Sequence, residues 1–203
     1  MNHFSHFFLP PSPDIQDTSN PSFDVPIDED FFSNLIGESL VKNSNGQHIS
    51  IATASSLSNA RLVAFYFSAH WCPPCRQFTP MLCELYLHLK SAFPTHGLEI
   101  CFVSSDRDHA SFYDYFRSMP WLAVPFDNAP GRRSISERYE VQGIPALVVV
   151  DTISGNFVIS KETSRSEVAL ACRGGDDAIE QMFRGWLDQI PNESKVSSGR
   201  NCK

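Results

Sequence analysis

Trp71-Cys72-Pro73-Pro74-Cys75-Arg76 stands between an apolar run, Leu62 to Phe67, and a run of helical periodicity, Phe78 to Leu89. Strand, C-x-x-C, helix is the context in which two cysteines three apart read as a thiol–disulfide redox centre. At the start of a helix, residues i and i+3 lie close enough for the short Cα separation of a disulfide. Cys72 is then set beyond the unpaired N–H groups of the helix start, where the positive dipole end lowers a thiol pKa and solvent reaches the sulfur. Cys75 falls one turn inside, where burial hides its sulfur. Pro73 and Pro74 suit a first turn, because their missing N–H groups are little loss there and φ is pre-set. The competing interpretation is a structural zinc site, which needs about four ligands, usually two such pairs. One C-x-x-C with no matching Cys/His pair elsewhere argues against it, and no metal is expected.

Working outward, the chain has 203 residues, enough for one domain with a proper core and flexible ends. An apolar content of 42% and an aromatic content of 12% fit a globular protein. The formal net charge of -7 argues against a general nucleic-acid binder. Six cysteines are too few for a disulfide scaffold, and Cys83, Cys101, Cys172 and Cys202 show no regular spacing. A reducing compartment is therefore expected, the cytoplasm and also the nucleus, where a C-x-x-C is catalytic rather than structural. No apolar run approaches the roughly 18–20 residues of a membrane span, and no membrane association is expected. The N-terminus has Phe4, Phe7, Phe8 and Leu9 but lacks the basic start and long apolar stretch of a secretory signal.

Residues 1–30 hold five prolines among Ser, Asp and Asn and read as a disordered tail. Residues 31–191 read as one domain, and 192–203 as a polar C-terminal tail. Phe31, Phe32, Leu35 and Ile36 suggest a short helix ending at Gly37. Ser39 to Lys42 and Gln47 to Ile51 read as a hairpin turning at Asn45-Gly46. Leu57 belongs to a brief helical turn. Leu62 to Phe67 and Leu98 to Ser104 read as strands buried on both faces, joined by a helix that Pro80 should interrupt and kink. That unit predicts a parallel pair. Further helices are expected over Ser111 to Met119, Arg133 to Tyr139 and Asp176 to Ile190. Ala146 to Val150 and Asn156 to Ser160 are expected to be partner strands around a turn at Asp151 to Gly155. Cys101 should be buried and Cys202 exposed, while the exposure of Cys83 stays open.

Gly143-Ile144-Pro145 directly precedes a strand. Pro145 can start that strand with an ordinary trans bond, or the Ile144–Pro145 bond can be cis and leave the Ile144 backbone exposed to a substrate chain. The sequence is compatible with both. Trp71 and Trp121 are candidates for a contact surface, and Trp121 suits the core equally well. His70 can act in proton transfer or simply flank the site.

These residues together resemble the thioredoxin superfamily, and within it the tryparedoxin and nucleoredoxin branch. The resemblance rests on Ala64 to Pro80, Val103-Ser104-Ser105-Asp106, Met119 to Phe126, and Val141 to Leu147, and covers about residues 35 to 190. It implies an α/β thioredoxin fold: a central mixed sheet flanked by helices on both faces, with an N-terminal hairpin added. It further implies Cys72 as nucleophile, Cys75 as resolving thiol, a cis Pro145, and a substrate-binding surface of Trp71, Pro73, Ile144 and Pro145, supported by Tyr66 and Arg76. Ordinary thioredoxins carry a buried Asp six residues before the first cysteine; Tyr66 stands there, as in tryparedoxins. Ser105 takes the place of the Trp common in tryparedoxins, so a trypanothione-type donor is not implied.

The expected activity is reduction of protein disulfides through the Cys72–Cys75 dithiol, without metal or organic cofactor. The expected partners are disulfide-containing proteins and a reductase or small-thiol electron donor. The alternative is a redox-sensitive binding module of the nucleoredoxin type that acts on signalling partners.

Overall fold

The structure is a computed structural model and describes residues 31–44 and 46–190. Both expected tails, residues 1–30 and 192–203, and Asn45 of the expected turn lie outside the described residues, as does Cys202.

The elements follow in the order α1 (Phe31–Ile36), β1 (Ser39–Ser44), β2 (Gln47–Ala52), α2 (Thr53–Leu57), β3 (Ala60–Ser68), α3 (Pro73–Ala92) and β4 (Gly97–Ser104). They continue with α4 (His109–Phe116), β5 (Leu122–Ala123), α5 (Ala129–Arg138), β6 (Ala146–Asp151), β7 (Phe157–Ile159), α6 (Ser164–Gly174) and α7 (Asp176–Asp188). One seven-stranded sheet runs in the order β2-β1-β5-β4-β3-β6-β7. β3 and β4 are parallel across α3, β4 and β5 are parallel, and the remaining neighbours are antiparallel.

Period-2 alternation sorts each central strand onto two cores. Leu62, Ala64 and Tyr66 of β3, with Ile100 and Phe102 of β4, meet α3, α4, α6 and α7. Val63, Phe65 and Phe67, with Cys101 and Val103, face α1, α2 and Tyr139 at the end of α5. Both faces are therefore covered, which is why these strands are continuously apolar.

Gly37 ends α1 at φ 94°, a conformation that favours glycine, and a Cβ there would lie 2.6 Å from Asn128 Nδ2. That Asn128 amide donates to the Ile36 carbonyl, while Oδ1 accepts from Gly131 N and caps α5.

Four sequence expectations need correction. α3 runs through Pro80 without interruption: the one N–H it lacks is the partner of the Arg76 carbonyl, and both residues lie on the exposed side of the helix. α5 begins at Ala129 rather than Arg133, because Asn128 caps it and Pro130 fits its first turn. α6 occupies a stretch for which the sequence suggested no element: only Ser164, Val168 and Ala171 are buried, and Leu170 is exposed, so its apolar stripe is faint. β5 is too short to show periodicity and exists through pairing with both β1 and β4.

Candidate active site

β3 ends at Ser68 and α3 starts at Pro73, so the two cysteines stand where strand gives way to helix. Cys72 and Cys75 are disulfide-bonded, with Cα atoms 5.2 Å apart. Cys72 is the N-cap of α3: its backbone is extended, and its Sγ accepts from Cys75 N at 3.3 Å. Pro73 and Pro74 form the first turn and are exposed. Cys72 Sγ thus sits at the positive end of a 20-residue helix.

Cys72 is 4% exposed and Cys75 0%. The expected order holds, but Cys72 is more covered than the sequence suggested, because Ala69 and Ile144 pack against the pair. The Ile144–Pro145 bond is cis. Pro145 starts β6 from one residue outside, and its carbonyl accepts from the Arg165 guanidinium.

Trp71 is 51% exposed beside the disulfide. Its Nε1 donates to the Ser105 carbonyl at 3.1 Å, and the Arg107 guanidinium lies 5.9 Å from its ring. Trp121 belongs to the core instead, edge-on to Tyr66 and Tyr86. The His70 ring is near Tyr115; the backbone N–H of His70 donates to Asp106 at 2.8 Å, and its backbone carbonyl accepts from the Arg76 guanidinium.

Beneath Cys75, four hydroxyls close a buried ring. Tyr66 meets Thr79 at 2.8 Å and Ser68 at 3.0 Å; Tyr115 meets Ser68 at 3.1 Å and also Thr79. Tyr66 and Thr79 donate to the Cys75 carbonyl at 3.2 and 3.0 Å. Burial, then neighbouring Tyr115, raises the Tyr66 phenol well above its ordinary range. A neutral ring therefore stands where a carboxylate would supply negative charge.

The other described thiols are poor nucleophiles near neutral pH. Burial pushes Cys83 up to about 11. Burial, then Glu99, raises Cys101 further, and burial, then Glu84, raises Cys172. No group of three or more His, Cys, Asp or Glu side chains among the described residues is arranged to hold a metal ion.

The structure thus gathers Tyr66, Trp71, Cys72, Pro73, Cys75, Arg76, Ile144 and Pro145 at one end of the sheet. Sequence reasoning did not assign Thr79, Tyr115, Arg107 or Arg165 to the site. Thr79 lies within the Ala64 to Pro80 stretch that carries the resemblance, and Arg107 directly follows another such stretch, Val103-Ser104-Ser105-Asp106; Tyr115 and Arg165 left no signal.

A mixed sheet covered by helices on both faces, with a C-x-x-C at the start of the helix after a central strand, defines a thioredoxin-like protein. The chain belongs to the thioredoxin superfamily, in its nucleoredoxin- and tryparedoxin-like group. A family model described as Thioredoxin-like matches residues 59–157. Mouse nucleoredoxin is 46% identical over 120 residues, 59% of this chain and 26% of that protein. Tryparedoxin of Trypanosoma brucei brucei is 35% identical over 105 residues, 52% of this chain and 71% of that one. Native tryparedoxin I from Crithidia fasciculata superposes with a TM-score of 0.60 at 35% identity, covering 72% of this chain and 93% of that one. The chain thus spans about a quarter of the nucleoredoxin it matches.

Proposed function

We propose that this chain reduces protein disulfides by thiol exchange. The observation that carries this reading is the Cys72–Cys75 pair, capping α3 with Ile144 against it and Trp71 exposed beside it. In the dithiol state, the Cys72 thiolate attacks one sulfur of a substrate disulfide. A Cys72–substrate bond forms, the substrate S–S bond breaks, and one substrate thiolate leaves. Cys75, after giving up its proton to solvent, attacks Cys72 Sγ. The mixed disulfide breaks, the second substrate thiolate leaves, and the protein holds the Cys72–Cys75 bond. Two electrons have passed to the substrate. A reductase or small-thiol donor of the cytoplasm or nucleus returns them. Pro73, Ile144 and Pro145 provide the surface along which the substrate chain lies, and Arg76 fixes the loop through the His70 carbonyl.

Insulin reduction driven by dithiothreitol tests the activity. The wild-type chain accelerates it, and Cys72→Ser returns the rate to the reagent background. Cys75→Ser retains attack but loses release, so reductant-sensitive adducts with client proteins accumulate in a cell extract. A redox-sensitive binding module predicts partners held without a covalent bond, and no such adducts. Absence of adducts with Cys75→Ser, together with insulin reduction by Cys72→Ser, overturns the proposed roles.

A further inference from the structure

The cations beside the disulfide are oriented by carbonyls and an aromatic ring rather than by carboxylates. The chain carries a net charge of -7. Elsewhere, Lys42, Arg132, Lys161 and Arg173 form no ion pair among the described residues, while Arg61, Lys90, Arg117, Arg133 and Arg184 each meet a carboxylate. Arg76, Arg107 and Arg165 do not: among the described residues none of the three forms an ion pair. Arg76 donates to the His70 carbonyl, Arg165 to the Pro145 carbonyl, and Arg107 lies over the Trp71 ring. All three are exposed. Carbonyls and an aromatic face orient a guanidinium without cancelling its charge.

Arg107 is also held in place by its loop. Ser105 N donates to the Ser68 carbonyl at 2.9 Å, His70 N donates to Asp106 at 2.8 Å, and Trp71 Nε1 donates to the Ser105 carbonyl at 3.1 Å. The carboxylates on either side of Arg107 are committed elsewhere. Asp106 is buried, accepts from His70 N and Ser104 Oγ, and is faced by Arg132. Asp108 caps α4 through Ser111. The guanidinium of Arg107 therefore stands beside the most exposed aromatic of the site with its charge unanswered.

We propose that Arg107, set over Trp71, acts with Arg165, held by the Pro145 carbonyl, to form a cationic rim that selects protein disulfides flanked by Asp or Glu. The proposal rests on the disulfide-reductase reading and adds the substrate class. A carboxylate one or two residues from the scissile disulfide reaches a guanidinium fork as the substrate sulfur reaches Cys72, and bidentate pairing fixes its register. The favourable field also raises the encounter rate, an effect that salt screens.

Two measurements test it. In the first, the reduced protein is presented with two disulfide peptides that differ only in glutamates or lysines beside the cystine. At about 0.02 M salt, the glutamate peptide is expected to give kcat/KM about tenfold higher, and the ratio should fall toward one at about 0.5 M. Arg107→Gln should cut the ratio severalfold and Arg107→Glu should invert it. Arg184→Gln, at the far end of α3 against Phe93, removes the same charge and should leave it unchanged. A ratio near one in the wild type, or one that Arg107→Glu does not alter, overturns the proposal. The second measurement needs no turnover: the rates at which anionic iodoacetate and neutral iodoacetamide alkylate Cys72, read by mass spectrometry of the Cys72 peptide. The iodoacetate-to-iodoacetamide ratio should be higher in the wild type than in Arg107→Glu or Arg165→Glu. Equal ratios overturn the rim, whether or not the peptides are reduced. If neither peptide is reduced while the alkylation ratios differ as expected, the reductase reading fails and the cationic rim stands.

Discussion

At the scale of single residues, Tyr66 shows how position outranks side-chain type. It occupies a central strand, reaches the Cys75 carbonyl, and shares hydrogen bonds with Ser68 and Thr79 in a pocket closed to solvent. A carboxylate there would need a partner or a proton to be tolerated; a phenol needs only hydroxyl neighbours. Removing its oxygen takes from Ser68 one of its two hydroxyl partners, breaks the contact with Thr79, and takes one donor from the Cys75 carbonyl. Tyr66→Phe should therefore lower stability by about 1–2 kcal/mol in urea titration, with an unchanged m-value. An unaltered midpoint would show that the ring is not a cooperative unit. The same change in a Thr79→Val background should cost less than in the wild type, because the ring is already broken.

At the scale of elements, the β1–β2 hairpin is clasped to α4. Asn43 Nδ2 donates to the Phe116 and Met119 carbonyls, so its Oδ1 accepts from His48 Nε2 at 3.1 Å. The His48 ring stacks on Tyr113 with centroids 4.4 Å apart and also approaches Phe116. Asn43→Ala takes the side-chain donor from the Met119 carbonyl and one of two donors from the Phe116 carbonyl, which keeps Met119 N, and should destabilise the protein by about 1–2 kcal/mol, measured by the shift in urea midpoint. Burial lowers the His48 pKa below its ordinary 6.5. The folded state therefore prefers the neutral ring. The contribution of His48 is complete above pH 6.5 and is lost as pH falls through the lowered folded value. An NMR titration of His48 should give a midpoint below 6.5; a midpoint at or above it would mean the stack does not exclude water from the ring.

At the scale of the whole molecule, the two buried cores make the fold sensitive to alkali. Burial raises Cys83 from 9.0 to about 11 and Tyr139 from 10.0 to about 12, and it raises Cys101 and Tyr86 further. The folded chain keeps these protons while the unfolded chain releases them, so stability is constant below the unfolded values and falls as pH climbs through the folded ones. Melting temperature should hold up to about pH 9 and then decline, and Cys101→Ala should flatten the decline. A melting temperature that rises above pH 9 would contradict these burial assignments. The sequence by itself determined the central strands, the long helix and the Cys72–Cys75 centre. Continuous apolar runs, helical periodicity and a three-residue spacing are local properties, and local geometry converts them directly into burial and proximity. It also showed Gly46 as a hairpin turn residue, realised at φ 79°. The cis Ile144–Pro145 bond, left open by the residues alone, is as the family resemblance implied. Only the tertiary structure placed Trp121 in the core, extended α3 through Pro80 and formed β5. It alone formed α6 on a faint apolar stripe and carried Arg165 to the Pro145 carbonyl, with Arg107 already set against Trp71. These features depend on which loops converge at one end of the sheet, and long-range strand pairing fixes that convergence, which no short window of sequence contains.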